Sequence, residues 1–151
     1  FLVARSPNAQ LTFDIDLALS QSNDNPVYYI QYAHARVCSV RRKLEEQGLT
    51  SRPELEDLAV DRLGEPEETE LVKQLGRFPE IVERAGEGAE PQQIATYLRD
   101  LAGHFHSYYN AHKVIVDDAQ LRMARLALSE AGRQVVRNGL DLLGVSAPET
   151  M

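Results

Sequence analysis

The sequence predicts an all-α protein: a helical bundle of about five helices, three long and two short, after a short irregular N-terminal segment. Three observations lead to this fold class. Apolar residues recur every three or four positions in three long segments. Prolines stand at the start of four helical segments, and glycines stand near the end of several. Alternating patterns typical of strands are nearly absent after residue 20.

The first long helix is predicted to open at Asn25-Pro26, a pair that suits an N-cap and a first turn, and to stop near Gly48. Its apolar stripe consists of Val27, Ile30, Ala33, Val37, Val40 and Leu44. Roughly the opposite face carries Tyr29, Tyr32, Arg36 and Lys43. Rings interleaved with cations are what single-stranded nucleic acid needs, because bases stack on the rings and phosphates pair with the cations.

The middle of the chain is acidic. Residues 45–90 hold 14 acidic and five basic residues, a net of −9, whereas the remaining residues hold nine acidic and 11 basic, a net of +2. The segment after residue 49 is predicted to be a polar loop with one helical turn after Pro53. Two short helices follow, one from Pro66 and one that stops near Gly86 or Gly88. We interpret the acidic run of the first short helix as a solvated face.

Two more long helices complete the bundle. The first opens at Pro91, and its stripe is Ile94, Leu98, Leu101, Phe105 and Tyr108. The last is capped by Asp117 or Asp118 and runs to about Leu143, with Leu121, Leu128, Val135 and Leu142 at sevenfold spacing. Gly132 and Gly139 either weaken this helix or allow a neighbour to approach closely. The arginines along it are expected to be solvated: Arg122, Arg125, Arg133 and Arg137.

Few residues suggest chemistry. The single cysteine, Cys38, excludes an internal disulfide framework and fits a reducing cytosol. It is expected to be a small helix residue, because no Cys/His or Ser/His/Asp pattern supports a nucleophile. The histidines do not have the spacing of a metal site, so we expect no metal and no catalytic residue in this chain. The sequence has no initiating Met, and we therefore expect a fragment of a longer protein.

The segment NPVYYIQYAHAR, residues 25–36, resembles the first helix of the C-terminal anticodon-binding domain of arginyl-tRNA synthetases. The stretch DAQLRMARLAL, residues 118–128, is similar to the Asp-Ala-Leu-Arg signature of that domain, with one extra residue between Ala119 and Leu121. The ending LLGVSAPETM is also like the synthetase carboxyl terminus. The resemblance implies that residues 1–21 end the catalytic domain and its junction, and that residues 22–151 form the anticodon-binding bundle.

The resemblance also assigns residues to RNA binding. It implies that Tyr32 stacks on a base of the anticodon loop and that Arg36 makes a cationic or bidentate contact. It implies that Tyr109 and Met151 lie near the same loop, whereas Tyr108 falls on the apolar stripe and is expected in the core. His34 is expected to pack or to form a hydrogen bond. Arg122 is expected to fix helix packing if it does not touch RNA.

The implied partners are arginine tRNA, through its anticodon stem-loop, and the catalytic domain of the same protein, in the cytoplasm, with no membrane and no DNA partner. ATP is implied for the parent enzyme and no cofactor for this segment, because the His-Ile-Gly-His and Lys-Met-Ser-Lys signatures are absent. The alternative is a helical protein–protein interaction module without nucleic-acid binding. An enzyme in its own right has no catalytic constellation to support it.

Overall fold

The computed structural model describes residues 14–53 and 58–151. Within these ranges the chain forms six α-helices and one short 3-10 helix at Val60–Arg62. The α-helices are α1 (Ile15–Leu19), α2 (Pro26–Glu46), α3 (Pro66–Gly76), α4 (Phe78–Glu87), α5 (Gln92–Ala111) and α6 (Ala119–Leu142). The predicted all-α bundle is confirmed, since α2, α5 and α6 are long and α3 and α4 are short. The segment directly after Pro53, which is predicted to form one helical turn, lies outside the described residues.

The N-terminal segment was expected to be irregular, but its described part contains the single-turn helix α1. Asp14 begins this helix by accepting a hydrogen bond from the Leu17 backbone N–H at 2.9 Å. Asn25 then begins α2, since its side chain accepts from the Val27 N–H at 3.0 Å. The same side chain donates to the carbonyls of Ala18 and Ser20 at 3.1 and 2.9 Å. One buried asparagine therefore caps α2 and ties α1 to it.

Helix α5 is the centre of the bundle, because α2, α3, α4 and α6 all pack against it. Every member of its predicted stripe is buried, and Tyr108 is fully so, as expected for a core residue. The stripe of α2 is also buried, apart from Val27 near its start, which is half-buried. Helix α2 ends at Glu46, close to the predicted stop near Gly48. Gly48 adopts a positive φ of 67°, the left-handed conformation that suits a glycine after a helix.

The four residues at sevenfold spacing on α6 do not share one environment. Leu128 is buried, but Leu142 is 56% exposed and Leu121 and Val135 are only half-buried. Helices α2, α3 and α5 all pack against α6, so its buried positions spread over more than one row. They are Ala124, Arg125, Leu126, Leu128, Ser129, Gly132, Val136, Gly139 and Leu140. Close approach explains Gly139, because a Cβ atom there would lie 2.5 Å from Cδ2 of Leu98 on α5.

A buried ion pair corrects two expectations. Glu68, in the acidic run expected to be solvated, has no exposed surface, and Arg125 of α6 is 8% exposed. Arg125 Nε donates to Glu68 Oε1 at 2.7 Å, and its Nη1 donates to the Lys113 carbonyl at 2.9 Å. The remaining Glu68 oxygen accepts from the Glu65 N–H at 3.0 Å. The pair joins α3 to α6 and to the loop before α6. Residue type and spacing along one helix do not reveal this contact.

Arg122 also acts on this loop, since its Nη1 donates to the Val116 and Asp117 carbonyls at 2.6 and 3.3 Å. Its expected packing role agrees with these contacts. Arg133 is half-buried against Glu130, whereas Arg137 is exposed as expected. None of the helices in the described ranges combines the length and the apolar character that a membrane crossing requires.

Candidate nucleic-acid interface

The residues singled out for RNA contact come from three separate parts of the chain and line one groove. Tyr32 and Arg36 lie on α2, Tyr109 lies near the end of α5, and Met151 lies in the segment after α6. The groove has a volume of about 440 Å³. Its lining consists of Tyr32, Ala35, Arg36, Ser39, Arg42, Lys43, Tyr109, Thr150 and Met151. We call it the tyrosine groove; its lining side chains include three cations and no carboxylate.

The Arg36 guanidinium lies between two tyrosine rings. Its Cζ atom is 4.5 Å from the centre of the Tyr32 ring and 4.7 Å from the centre of the Tyr109 ring. Both distances are within the range of favourable cation–π contact. The arrangement exists because Arg36 is one turn after Tyr32 on α2, while α5 packs beside α2 and brings Tyr109 to the other side. Three of the four predicted residues therefore form one stack.

Hydrogen bonds from α5 fix the guanidinium within this stack. Arg36 Nη1 lies 3.2 Å from Asn110 Oδ1 and 3.2 Å from His106 Nδ1. His106 Nε2 lies 3.1 Å from the Tyr29 carbonyl oxygen. His106 is buried, and this burial lowers the pKa of its imidazole below the ordinary 6.5; the Arg36 charge acts in the same direction.

The segment after α6 is held along α2 through its backbone. Gln31 Nε2 donates to the Ser146 carbonyl at 2.8 Å, and Arg42 Nη1 donates to the Glu149 carbonyl at 3.2 Å. Between them, His34 Nδ1 lies 3.0 Å from the Pro148 carbonyl, which fulfils the expected hydrogen-bonding role of this histidine. This path brings Met151 to the groove, where 49% of its surface is exposed.

The family described as DALR anticodon binding domain matches residues 30–151. The chain belongs to this DALR family. The match covers α2 from Ile30 onward and all of α3–α6, so it contains every residue that lines the tyrosine groove.

Close relatives of this DALR domain are arginine–tRNA ligases. The chain is 54% identical over 151 residues to the enzyme of Halorhodospira halophila and 56% identical to that of Thioalkalivibrio sulfidiphilus. Each alignment covers 100% of this chain but 26% of the relative, so the chain spans about a quarter of their length. The arginyl-tRNA synthetase of Thermus thermophilus superposes with a TM-score of 0.79 at 35% identity, over 99% of this chain and 25% of that one.

Sequence reasoning misplaced one tyrosine of the DALR domain and missed several partners. Tyr29 was expected on the outer face of α2, but its ring packs against the core and lies 4.6 Å from the His106 ring. Tyr28 was not singled out, yet it stacks on Tyr32 with ring centres 6.0 Å apart. Its position four residues before Tyr32 was the available signal. The sequence offers no comparable signal for His106 and Asn110, because their contact with Arg36 depends on how α5 packs against α2.

A second, smaller groove of about 220 Å³ adjoins the first and shares Lys43 and Tyr109 with it. Its other lining residues are Val40, His112, Lys113, Val114 and Ile115. Among residues 14–53 and 58–151, no group of three or more His, Cys, Asp or Glu side chains is placed to hold a metal ion. Cys38 is buried, and burial raises the pKa of its thiol, as suits a packing residue.

Proposed function

We propose that this chain is the anticodon-binding part of an arginine–tRNA ligase and that the tyrosine groove holds a base of the anticodon loop. The observation that supports this most directly is the stack of Tyr32, Arg36 and Tyr109 in a groove lined by cations. The chain as a whole carries a net charge of −7, so a groove without acidic lining side chains is a local exception. An RNA loop supplies both the unstacked bases and the phosphates that such a groove suits.

The parent enzyme, on this proposal, activates arginine with ATP and transfers it to tRNA in the cytosol, while this domain holds the anticodon stem-loop. The residues present do not fit ATP themselves. The sequence lacks both class I signatures, and no glycine-rich run precedes a helix in the described ranges. ATP chemistry therefore belongs to the catalytic domain, which is the other proposed partner of this chain.

The middle base of the anticodon is the one that the groove is proposed to test. Arginine codons all have G in the middle, so arginine anticodons all have C there. The Arg36 Nη1 atom is engaged by α5, whereas the structure gives Nε and Nη2 no hydrogen-bond partner within the described ranges. Guanidinium donors suit the two neighbouring acceptors, N3 and O2, on the pairing edge of cytosine. Uracil carries a donor at N3 and would meet a donor there.

The test is binding of the 151-residue chain to arginine tRNA and to the same tRNA with its middle anticodon C replaced by U. The replacement should weaken binding by about 1–3 kcal/mol. If Arg42 and Lys43 neutralise about two phosphates, raising salt from about 50 to about 200 mM should weaken binding about sevenfold. The Tyr32→Ala variant should lose a similar amount as the base replacement, whereas Tyr32→Phe keeps the ring and should bind nearly as wild type.

Equal binding to both tRNAs by a folded chain would contradict base recognition in the groove. Binding that does not respond to salt would favour the alternative function, a protein–protein interaction module. Such a module would not bind phosphates and would release no counterions. The Tyr32 variants require a check of thermal unfolding, because the Tyr32 ring also contacts Tyr28 and His106.

A further inference from the structure

We propose that His106 is a positioning residue for RNA binding: by accepting a hydrogen bond on Nδ1, it holds the Arg36 guanidinium between the Tyr32 and Tyr109 rings, and it does so only while neutral. This inference rests on the proposed function of the tyrosine groove. His106 itself is 7% exposed, so its role is to act through Arg36 and not to touch RNA.

The hydrogen bonds define the tautomer of His106. A carbonyl oxygen only accepts, so the contact of Nε2 with the Tyr29 carbonyl at 3.1 Å requires a proton on Nε2. A neutral ring then has a lone pair on Nδ1, and the atom that lies 3.2 Å away is the donor Nη1 of Arg36. Both ring nitrogens are thus satisfied in one protonation state.

Holding Arg36 in place matters because an arginine side chain has many rotamers. The Asn110 oxygen and the His106 lone pair both bind Nη1 from the α5 side, and the two rings cover the guanidinium faces. The entropy cost of ordering the Arg36 side chain therefore arises when the protein folds, and RNA binding does not incur it again. The edge that carries Nε and Nη2 is left for the ligand.

Protonation would reverse the contact with Arg36. An imidazolium donates from both nitrogens, so Nδ1–H would then face a cationic donor. The titratable groups that contact the His106 ring come from α2: Arg36 and the phenols of Tyr29 and Tyr32. From α5, Phe105 packs on the ring. No carboxylate within the described ranges pairs with His106. The positive charge of a protonated His106 ring would therefore be repelled by Arg36 and stabilised by no acidic partner.

The experiment compares RNA affinity at about pH 7.5 and about pH 5.5 for three proteins. Wild type should lose affinity as the pH falls, approaching a loss of about fivefold once His106 is fully protonated, roughly the effect of one hydrogen bond. A loss of affinity at lower pH distinguishes His106 from other histidines. Protonation of the others adds positive charge to the protein and should strengthen RNA binding. His106→Asn, which keeps an acceptor oxygen near the Nδ1 position but does not titrate, should bind within about threefold of wild type and lose the pH response.

His106→Leu should bind about fivefold or more weakly already at about pH 7.5, because it offers Arg36 no acceptor. His104→Asn, on the same helix, is the matched control and should keep the pH response of wild type. Circular dichroism confirms that each protein is folded at both pH values. Nitrogen-15 spectra of the imidazoles provide a second readout without RNA: they should show the proton of His106 on Nε2, and Arg36 signals should shift as His106 titrates.

The outcomes separate the two proposals. If RNA does not bind, yet the spectra show the Nε2–H tautomer coupled to Arg36, the proposed function fails and the positioning of Arg36 stands. If RNA binds but His106→Asn keeps the wild-type pH response, the positioning role is overturned. A proton found on Nδ1 of His106 at neutral pH would overturn it as well.

Discussion

Gly132 and Gly139 are seven residues apart on α6, and their surroundings differ. A Cβ atom on Gly139 would lie within 3.0 Å of three side-chain atoms of Leu98, which is fully buried. A Cβ atom on Gly132 would meet Phe105 at an ordinary contact distance of 3.5 Å. Only the first glycine is therefore required by the packing of α6 against α5.

This difference predicts opposite results for two alanine variants. Gly139→Ala should reduce the free energy of unfolding by about 1–3 kcal/mol, because Leu98 must move within a filled core. Gly132→Ala should be neutral or should stabilise the chain by up to about 1 kcal/mol through helix propensity. Urea unfolding of both variants measures the effect. Equal stability of the two would show that Leu98 repacks without cost.

At the scale of elements, the Glu68–Arg125 pair makes α3 dependent on α6. Arg125 also binds the Lys113 carbonyl, so the same side chain orders the loop that lines the second groove. A buried charge left without its partner is costly, whereas replacing both partners with apolar groups often is not. Variants of this pair therefore test how far the packing of α3 depends on its contact with α6.

Glu68→Leu alone should destabilise the chain by about 3–5 kcal/mol, because Arg125 would remain buried and unpaired. Adding Arg125→Met should recover most of that loss. Glu67→Ala is the matched control on the adjacent position: Glu67 pairs with His112 at the surface, so its loss should leave the unfolding midpoint near wild type. Thermal unfolding is sufficient to compare the three variants. A double variant no more stable than Glu68→Leu would contradict the ion-pair explanation.

At the scale of the whole molecule, two buried histidines link stability to pH. Burial lowers the pKa of both His34 and His106 from 6.5. Below that value the unfolded chain binds protons that the folded chain does not, so the free energy of unfolding decreases as pH falls. The loss continues until the pH reaches the lowered folded-state pKa values and then levels off.

We expect stability to be constant from about pH 8 to about pH 7 and then to fall by at most about 1.4 kcal/mol per pH unit for each histidine. Urea unfolding over this range measures the slope. Replacing both histidines by His34→Gln and His106→Asn should flatten it. A slope that survives the double replacement would assign the effect to other groups.

How much of this molecule was predictable depends on whether local spacing or a distant contact decides the feature. Periodicity and helix-end residues predicted the fold class, the cap at Asn25 and the buried stripe of α5, because these depend on neighbours in sequence. The resemblance named Tyr32, Arg36, Tyr109 and Met151, and the structure places them around one groove. Their roles in RNA binding remain predictions.

Other features depend on tertiary packing and escaped local rules. Glu68 and Arg125 look like surface residues in sequence, and only the meeting of α3 with α6 buries them. The inward position of Tyr29 likewise follows from the place of His106 on a helix 77 residues away. Such pairs cannot be found from spacing along one helix.

The hydrogen bonds that α2 makes to the segment after α6 mainly reach its backbone. Gln31, His34 and Arg42 all bind carbonyl oxygens, and every residue type offers the same oxygen. Helix α2 therefore guides the last residues of the segment, whereas Val145 and Ala147 fix its beginning by packing against the core. Position 151 can accordingly be exchanged to tune what the groove accepts, in evolution or by design, without a new anchor having to be built.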